Sequence, residues 1–153
     1  MDLGLKGLNA IITGGSKGIG RRAADIFADE GANVSICARN LAEVNETAAS
    51  LAEKGVKSLG RMVNVAEKAS LEGWVRESAT ALGGIDIVVA NVSALAVEDN
   101  EDAWKSGFDV DMMHTVREVN AALPLLEKSS HGAIVIVASV SGREVDITGP
   151  AYG

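Results

Sequence analysis

The sequence predicts a doubly wound α/β domain built on a parallel sheet. Three observations carry that prediction. Short apolar runs alternate five times with longer segments of helical period. Apolar residues make up 47% of the chain and aromatics only 3%, an aliphatic composition suited to helices packed on a buried sheet. No linker, repeat or low-complexity stretch interrupts the 153 residues, which suffice for one domain with a real core. Right-handed crossovers then restrict the strand order to 3-2-1-4-5.

The elements follow in order. Leu8 to Thr13 is an apolar strand, and a glycine-rich turn leads into a helix from Gly18 to Glu30. Ile19, Ala23, Ile26 and Phe27 recur at helical spacing and are expected to face the core, with Gly31 as the stop. Asn33 to Ala38 is the second strand. Asn40 with Glu43 three residues on forms a capping box for a helix striped by Leu41, Val44, Ala48 and Leu51. Lys57 to Val65 holds a weaker third strand. The next helix presents Leu71, Trp74, Val75, Ser78 and Leu82 on one face and closes at Gly83-Gly84. Ile85 to Ala90 is continuously apolar, as a central strand buried on both faces requires. Glu101 to Lys128 reads as a short helix leading into a long one, bent where Pro124 removes a hydrogen bond to Asn120. Ala133 to Ala138 is the fifth strand.

Composition excludes several function classes. A formal charge of −7 argues against nucleic acid or an anionic membrane as the main partner. The single cysteine, Cys37, lies in an apolar strand and can form neither an intrachain disulfide nor a cysteine metal cluster. The N-terminus does not read as a signal peptide, and no apolar run approaches the ~18 residues of a membrane span. A soluble cytoplasmic protein is the expectation. His114 and His131 lack an acid or nucleophile at triad spacing and read as surface or loop residues; Met112 and Met113 read as helix packing. Arg21 and Arg22 read as a solvated face, with Arg21 close enough to the turn to assist a phosphate.

Thr13-Gly14-Gly15-Ser16-Lys17-Gly18-Ile19-Gly20 joins the first strand to the first helix. Glycines there let the backbone turn sharply and approach a pyrophosphate, which rests on the amides of the helix N-terminus. A Walker A loop is ruled out by the order of serine and lysine. Gly18-Ile19-Gly20 with Ala23 satisfies G-x-G-x-x-A; the bland alternative is a turn serving only tight packing. At the end of the second strand, where a carboxylate would bind ribose hydroxyls, stand Ala38 and Arg39, with no acid until Glu43. Arg39 and Lys17 favour a 2′-phosphate and therefore NADP(H).

The spacing of the turn resembles the Thr-Gly-x-x-x-Gly-x-Gly motif of the short-chain dehydrogenase/reductase family, and the likeness extends over the whole chain. Asn64-Val65 resembles the family's adenine-binding pair. Asp86-Ile87-Val88-Val89-Ala90-Asn91-Val92-Ser93 stands where the family has Asp-x-x-Val-Asn-Asn-Ala-Gly, and Ser139 and Tyr152 match its catalytic serine and tyrosine. The resemblance implies a Rossmann-type sheet holding NADP(H) through Gly14, Ser16, Lys17, Gly18, Ile19, Gly20, Arg39, Asn64, Val65 and Asn91. It implies an oxidoreductase acting on a small alcohol or carbonyl substrate, with Tyr152 as proton donor and acceptor and Ser139 holding the carbonyl.

Three departures accompany the likeness. Asp111 occupies the position where the family usually has an asparagine feeding a proton relay. Ala90 and Ser93 replace an asparagine and a glycine of the family's turn, while Asn91 is kept. The family's lysine, four residues after the tyrosine, would fall at position 156, beyond Gly153. A free tyrosine titrates near ~10 and needs such a cation to exchange protons at neutral pH. The resemblance therefore implies an incomplete domain lacking the family's C-terminal strands and competent only with the remaining C-terminal polypeptide, present as a cleaved chain or as disordered sequence. Without it the fifth strand is expected to be a bare apolar edge, and Leu123, Leu125 or Leu126 to be exposed. The resemblance also implies a homo-oligomer, a dimer or tetramer. The competing expectation, favoured by Asp111, is a non-catalytic nucleotide-binding or interaction module.

Overall fold

The structure, a computed structural model, describes residues 3–144 and 147–152. Five parallel strands, β1 (Asn9–Thr13), β2 (Asn33–Ala38), β3 (Ser58–Met62), β4 (Ile87–Ala90) and β5 (Ala133–Ile136), lie in the order β3-β2-β1-β4-β5. Helices α1 (Gly18–Asp29), α2 (Leu41–Ala52) and α3 (Lys68–Leu82) follow the first three strands. Between β4 and β5 run α4 (Glu101–Gly107), a π-helical segment (Phe108–Met112) and α5 (Met113–Leu126). The chain leaves β1 toward β2 on one side and pairs it with β4 on the other. The crevice beyond the carboxyl ends of β1 and β4 is thus the topological switch point, where an open α/β sheet receives its ligand.

Alternation along the strands divides the core between two faces. Ala10 and Ile12 of β1 join Val34, Ile36, Val44, Leu51 and Val89 under α1 and α2. Ile11 points the other way and joins Cys37, Trp74, Val75 and Val88 under α3 and α5. Ser35 and Ser78 are buried at that second interface but satisfied: their hydroxyls lie 2.7 Å apart, and Trp74 Nε1 donates to Ser35 Oγ at 3.0 Å. The expected stripe of α3, Leu71, Trp74, Val75, Ser78 and Leu82, is buried in full. Asn40 caps α2 by accepting from the amides of Ala42 and Glu43, while its Nδ2 donates to the Glu43 carboxylate.

Several expectations require correction. The fully buried residues of α1 are Gly20, Ala24 and Ala28; Ala23 and Phe27 pack against the core as expected, while Ile19 is 68% and Ile26 40% exposed. Small residues four apart let the helix lie close to the sheet and leave the two isoleucines outside. A Cβ on Gly20 would collide with the Gly14 carbonyl oxygen. Leu41 is likewise exposed on α2. The long helix runs through Pro124 to Leu126, inside the expected span, the proline lacking only the N–H that would reach Asn120. Leu126 is buried against Ala122 and Leu71, whereas Leu123 is exposed as expected. Met112 stands exposed at the end of the π-helical segment. All four residues of β5 are exposed; the strand has β4 on one side and no described strand on the other.

Candidate active site

The glycine-rich turn is held by its neighbours rather than by its own side chains. The amides of Gly14 and Gly15 both donate to the Cys37 carbonyl, at 2.9 and 3.2 Å. Gly14 has φ +67°, a left-handed conformation that a side chain would strain, and a Cβ there would press on Asn91. Asn91 clamps the turn: its amide donates to Thr13 Oγ1 at 3.0 Å, and its Nδ2 donates to the carbonyl oxygens of Thr13 at 3.0 Å and Gly14 at 3.5 Å. Helix α1 opens directly from the turn with no side-chain cap and no acidic residue in its first turn. Its first amides therefore remain donors aimed outward, where the helix dipole favours an anion. Ser16 lies half-buried, and Lys17, Gly18 and Ile19 line the exposed entry to α1.

The cationic side of the crevice differs from expectation in two ways. Lys17 Nζ lies 2.7 Å from Glu43 Oε1, so part of its charge is already matched. Arg21 turns away from the crevice and donates to Asp25, Thr47 and Ser50, tying α1 to α2. Its guanidinium finds three acceptors there, which corrects the idea that it assists a phosphate. Arg39 stands exposed just past the end of β2. Farther along, Asn64 caps its own turn by accepting from the Ala66 amide and donating to Glu67, beside the buried Val65.

A cleft of about 620 Å³ brings together residues far apart in sequence: Asp111, His114, Ser139 and Tyr152 all border it, with Phe108 and Met112 on its apolar wall. Asp111 Oδ1 accepts from the Ala94 amide at 2.7 Å, while its Oδ2 is buried without a hydrogen-bond partner. Ser139 Oγ accepts from the Ser141 amide at 3.2 Å, capping a short 3-10 turn. Tyr152 is half-buried, its amide bonded to the Gly149 carbonyl at 3.0 Å.

The sequence missed the group behind this cleft. His114 is 1% exposed, not a surface residue. Its Nε2 lies 3.2 Å from Thr13 Oγ1 and its Nδ1 2.5 Å from the Val110 carbonyl oxygen. Burial pushes its imidazole below the ordinary range, partly offset by the Val110 carbonyl and Asp111. One turn on, Glu118 is wholly buried, and burial pushes its carboxyl well up, a little offset by the Thr13 hydroxyl. Neither carboxyl oxygen has full hydrogen-bond geometry with a described group. A signal was available: His114, Glu118, Ala122 and Leu126 recur every fourth residue, which places all four on the buried face of α5. His131, by contrast, is exposed as expected.

Comparison with known proteins assigns this architecture. The profile of the short chain dehydrogenase family matches residues 8–153. Isoepoxydon dehydrogenase of Penicillium expansum is 42% identical over all of this chain and 61% of its own length, and the enzyme of the same name from Aspergillus clavatus is 39% identical over 97% and 59%. A short chain dehydrogenase from Burkholderia cenocepacia, solved in complex with NADP, superposes with a TM-score of 0.90 at 25% identity, covering 97% of this chain and 62% of that one. The chain thus spans about three-fifths of the length of the proteins it matches. With the sheet order, the glycine-rich turn and the shared cleft, these matches establish that the chain belongs to the short-chain dehydrogenase family, with its Rossmann-type fold.

Proposed function

We propose that this chain forms the nucleotide-binding part of an NADP(H)-dependent oxidoreductase that moves hydride between the nicotinamide and an alcohol or carbonyl carbon. The observation that carries the reading is the cleft that Asp111, Ser139 and Tyr152 share, joined to the glycine-rich turn through Val92, which lies against Gly14. The fit to a dinucleotide rests on the turn itself: Gly14 and Gly20 let it close tightly on Asn91, the space beside Gly18 stays open, and the uncapped amides of α1 suit a pyrophosphate. Gly14, Ser16, Lys17, Gly18, Ile19 and Gly20 would hold the phosphates, Asn64 and Val65 the adenine, and Asn91 the turn beside the nicotinamide ribose. Arg39 supports a 2′-phosphate, with Lys17 contributing what Glu43 leaves it. The bound nicotinamide supplies the hydride chemistry.

Tyr152 then gives a proton to the oxygen that gains charge, or takes one in the reverse direction, and Ser139 donates a hydrogen bond to the same oxygen. Asp111 keeps one oxygen on the Ala94 amide and has the other free to hold a relay water. Turnover needs the polypeptide beyond Gly153: the exposed apolar edge of β5 supports a covering segment, and the exposed Trp104, Phe108, Met112 and Val116 support a homo-oligomer. No helix among the described residues is long and apolar enough to cross a membrane; we place the protein in the cytoplasm. Isoepoxydon, named by two relatives, is the first substrate to assay. Substrate-dependent change in nicotinamide absorbance by the full-length protein, absent from the 153-residue chain, is the expected result. Dinucleotide binding without turnover of any alcohol or carbonyl would favour a non-catalytic module, the reading that Asp111 in place of the family's asparagine supports.

A further inference from the structure

Four buried or half-buried groups join the nucleotide-binding turn to the cleft. Thr13 Oγ1 accepts from the Asn91 amide at 3.0 Å. It has one proton to give: the His114 ring at 3.2 Å is nearer than the Val89 carbonyl at 3.4 Å, and the adjacent Glu118 carboxyl oxygens lack full hydrogen-bond geometry. On the other side of the ring, a carbonyl oxygen can only accept, so the nitrogen facing Val110 must be the protonated one. That fixes the tautomer: Nδ1 carries the hydrogen and Nε2 accepts from Thr13. Val110 lies in the π-helical segment, next to Asp111. The segment's irregular hydrogen bonding leaves a carbonyl turned toward the ring.

We propose that His114 is a positioning residue that couples the nucleotide-binding turn to Asp111, its Nδ1–H held by the Val110 carbonyl and its Nε2 by the Thr13 hydroxyl. The inference rests on the dinucleotide reading above. A ring satisfied at both nitrogens and almost wholly buried cannot rotate without breaking a bond, so it transmits displacement instead of absorbing it. When a dinucleotide seats on the turn, Asn91 and Thr13 move as one clamp, and the ring carries that movement to the segment bearing Asp111. Glu118, with Oε2 at 3.7 Å from Nε2, walls the ring in from the next turn of α5. It lies beyond direct hydrogen-bond reach and therefore does not compete with Thr13 for the ring.

In a long-range proton–nitrogen spectrum of the full-length protein, the ring signals lost in the His114→Gln variant are those of His114, and in the parent they are expected to show the Nδ1-protonated pattern at neutral pH. Addition of NADPH is expected to shift its Nε2 resonance. His114→Leu should weaken NADPH binding about fivefold, the loss of one buried hydrogen bond. His114→Gln, which can still accept from Thr13, should remain within about twofold of the parent. An Nε2-protonated ring, an Nε2 signal indifferent to NADPH, or equal loss in both variants would overturn the proposal. Should His114→Leu fail to fold, the spectrum of the unmodified protein still decides. Failure of the underlying reading has a different signature, an unmodified protein that binds neither NADPH nor NADH, and it removes the coupling with it.

Discussion

Replacing Glu118 with glutamine separates the burial of this side chain from its charge. Glu118 lies beneath the sheet in α5, 0% exposed, facing Thr13 from β1, Cys37 from β2 and His114 one turn earlier. Burial raises its carboxyl well above the ordinary 4.5, so the folded protein keeps a proton that the unfolded chain loses near that value. Between the two values the unfolded state binds fewer protons, and stability falls as pH rises by about 1.4 kcal/mol per pH unit. The contribution is complete below the ordinary carboxylate value and is lost once the folded carboxyl ionises. Through that window the parent protein loses stability steadily as pH rises, against a total that is only marginal for a typical domain. Glutamine occupies the same volume and has no proton to lose, so Glu118→Gln should gain on the parent steadily with pH. His114 has the opposite sign: its imidazole is lowered, its contribution is present above 6.5 and is lost as pH falls, and it is common to both proteins. Cys37 is raised above 9.0 and adds no pH dependence below that value. Urea unfolding of both proteins at several pH values from 5 to 8, read by circular dichroism, measures the difference. Parallel stability curves over that range would refute the assignment of a neutral, buried Glu118.

Three further outcomes follow from the site. Glu43→Gln releases Lys17 from its 2.7 Å partner and should tighten NADPH binding a few-fold, with the gain shrinking at high salt in a fluorescence titration. Gly20→Ala places a methyl group against the Gly14 carbonyl and Asn91 Nδ2; it should lower the melting temperature by an amount equivalent to about 1–3 kcal/mol and weaken cofactor binding in the same preparation. On the proposed mechanism, in which the Tyr152 hydroxyl serves the substrate, Tyr152→Phe should abolish turnover by the full-length protein while leaving the NADPH dissociation constant within about twofold.

The parts of this fold that were legible in the sequence are those set by local period. The α3 stripe, the fully apolar β4, the Asn40 cap and the strand order all follow from spacing within a few residues, or from the handedness of crossovers. On α1, Ala23 and Phe27 reach the core as their spacing suggests, but Ile19 and Ile26 do not, because close packing selected Gly20, Ala24 and Ala28. Long-range polar partners were not legible at all. His114 meets Thr13 across 101 positions, and nothing near His114 in sequence announces that hydroxyl. The pairing of Glu43 with Lys17 depends similarly on how α2 lies against the glycine-rich turn. Asp111, Ser139 and Tyr152 were found through resemblance; the structure gathers them at one cleft.

The central claim is that the glycine-rich turn and Arg39 receive NADP(H). Equilibrium titration of the full-length protein with NADPH and with NADH, followed by nicotinamide fluorescence at a fixed ionic strength, tests it most directly. Saturable binding of NADPH at least about tenfold tighter than NADH, a difference of about 1.4 kcal/mol, is the predicted result. Equal affinity for the two would contradict the assignment of the 2′-phosphate to Arg39, and saturable binding of neither would contradict the dinucleotide site itself.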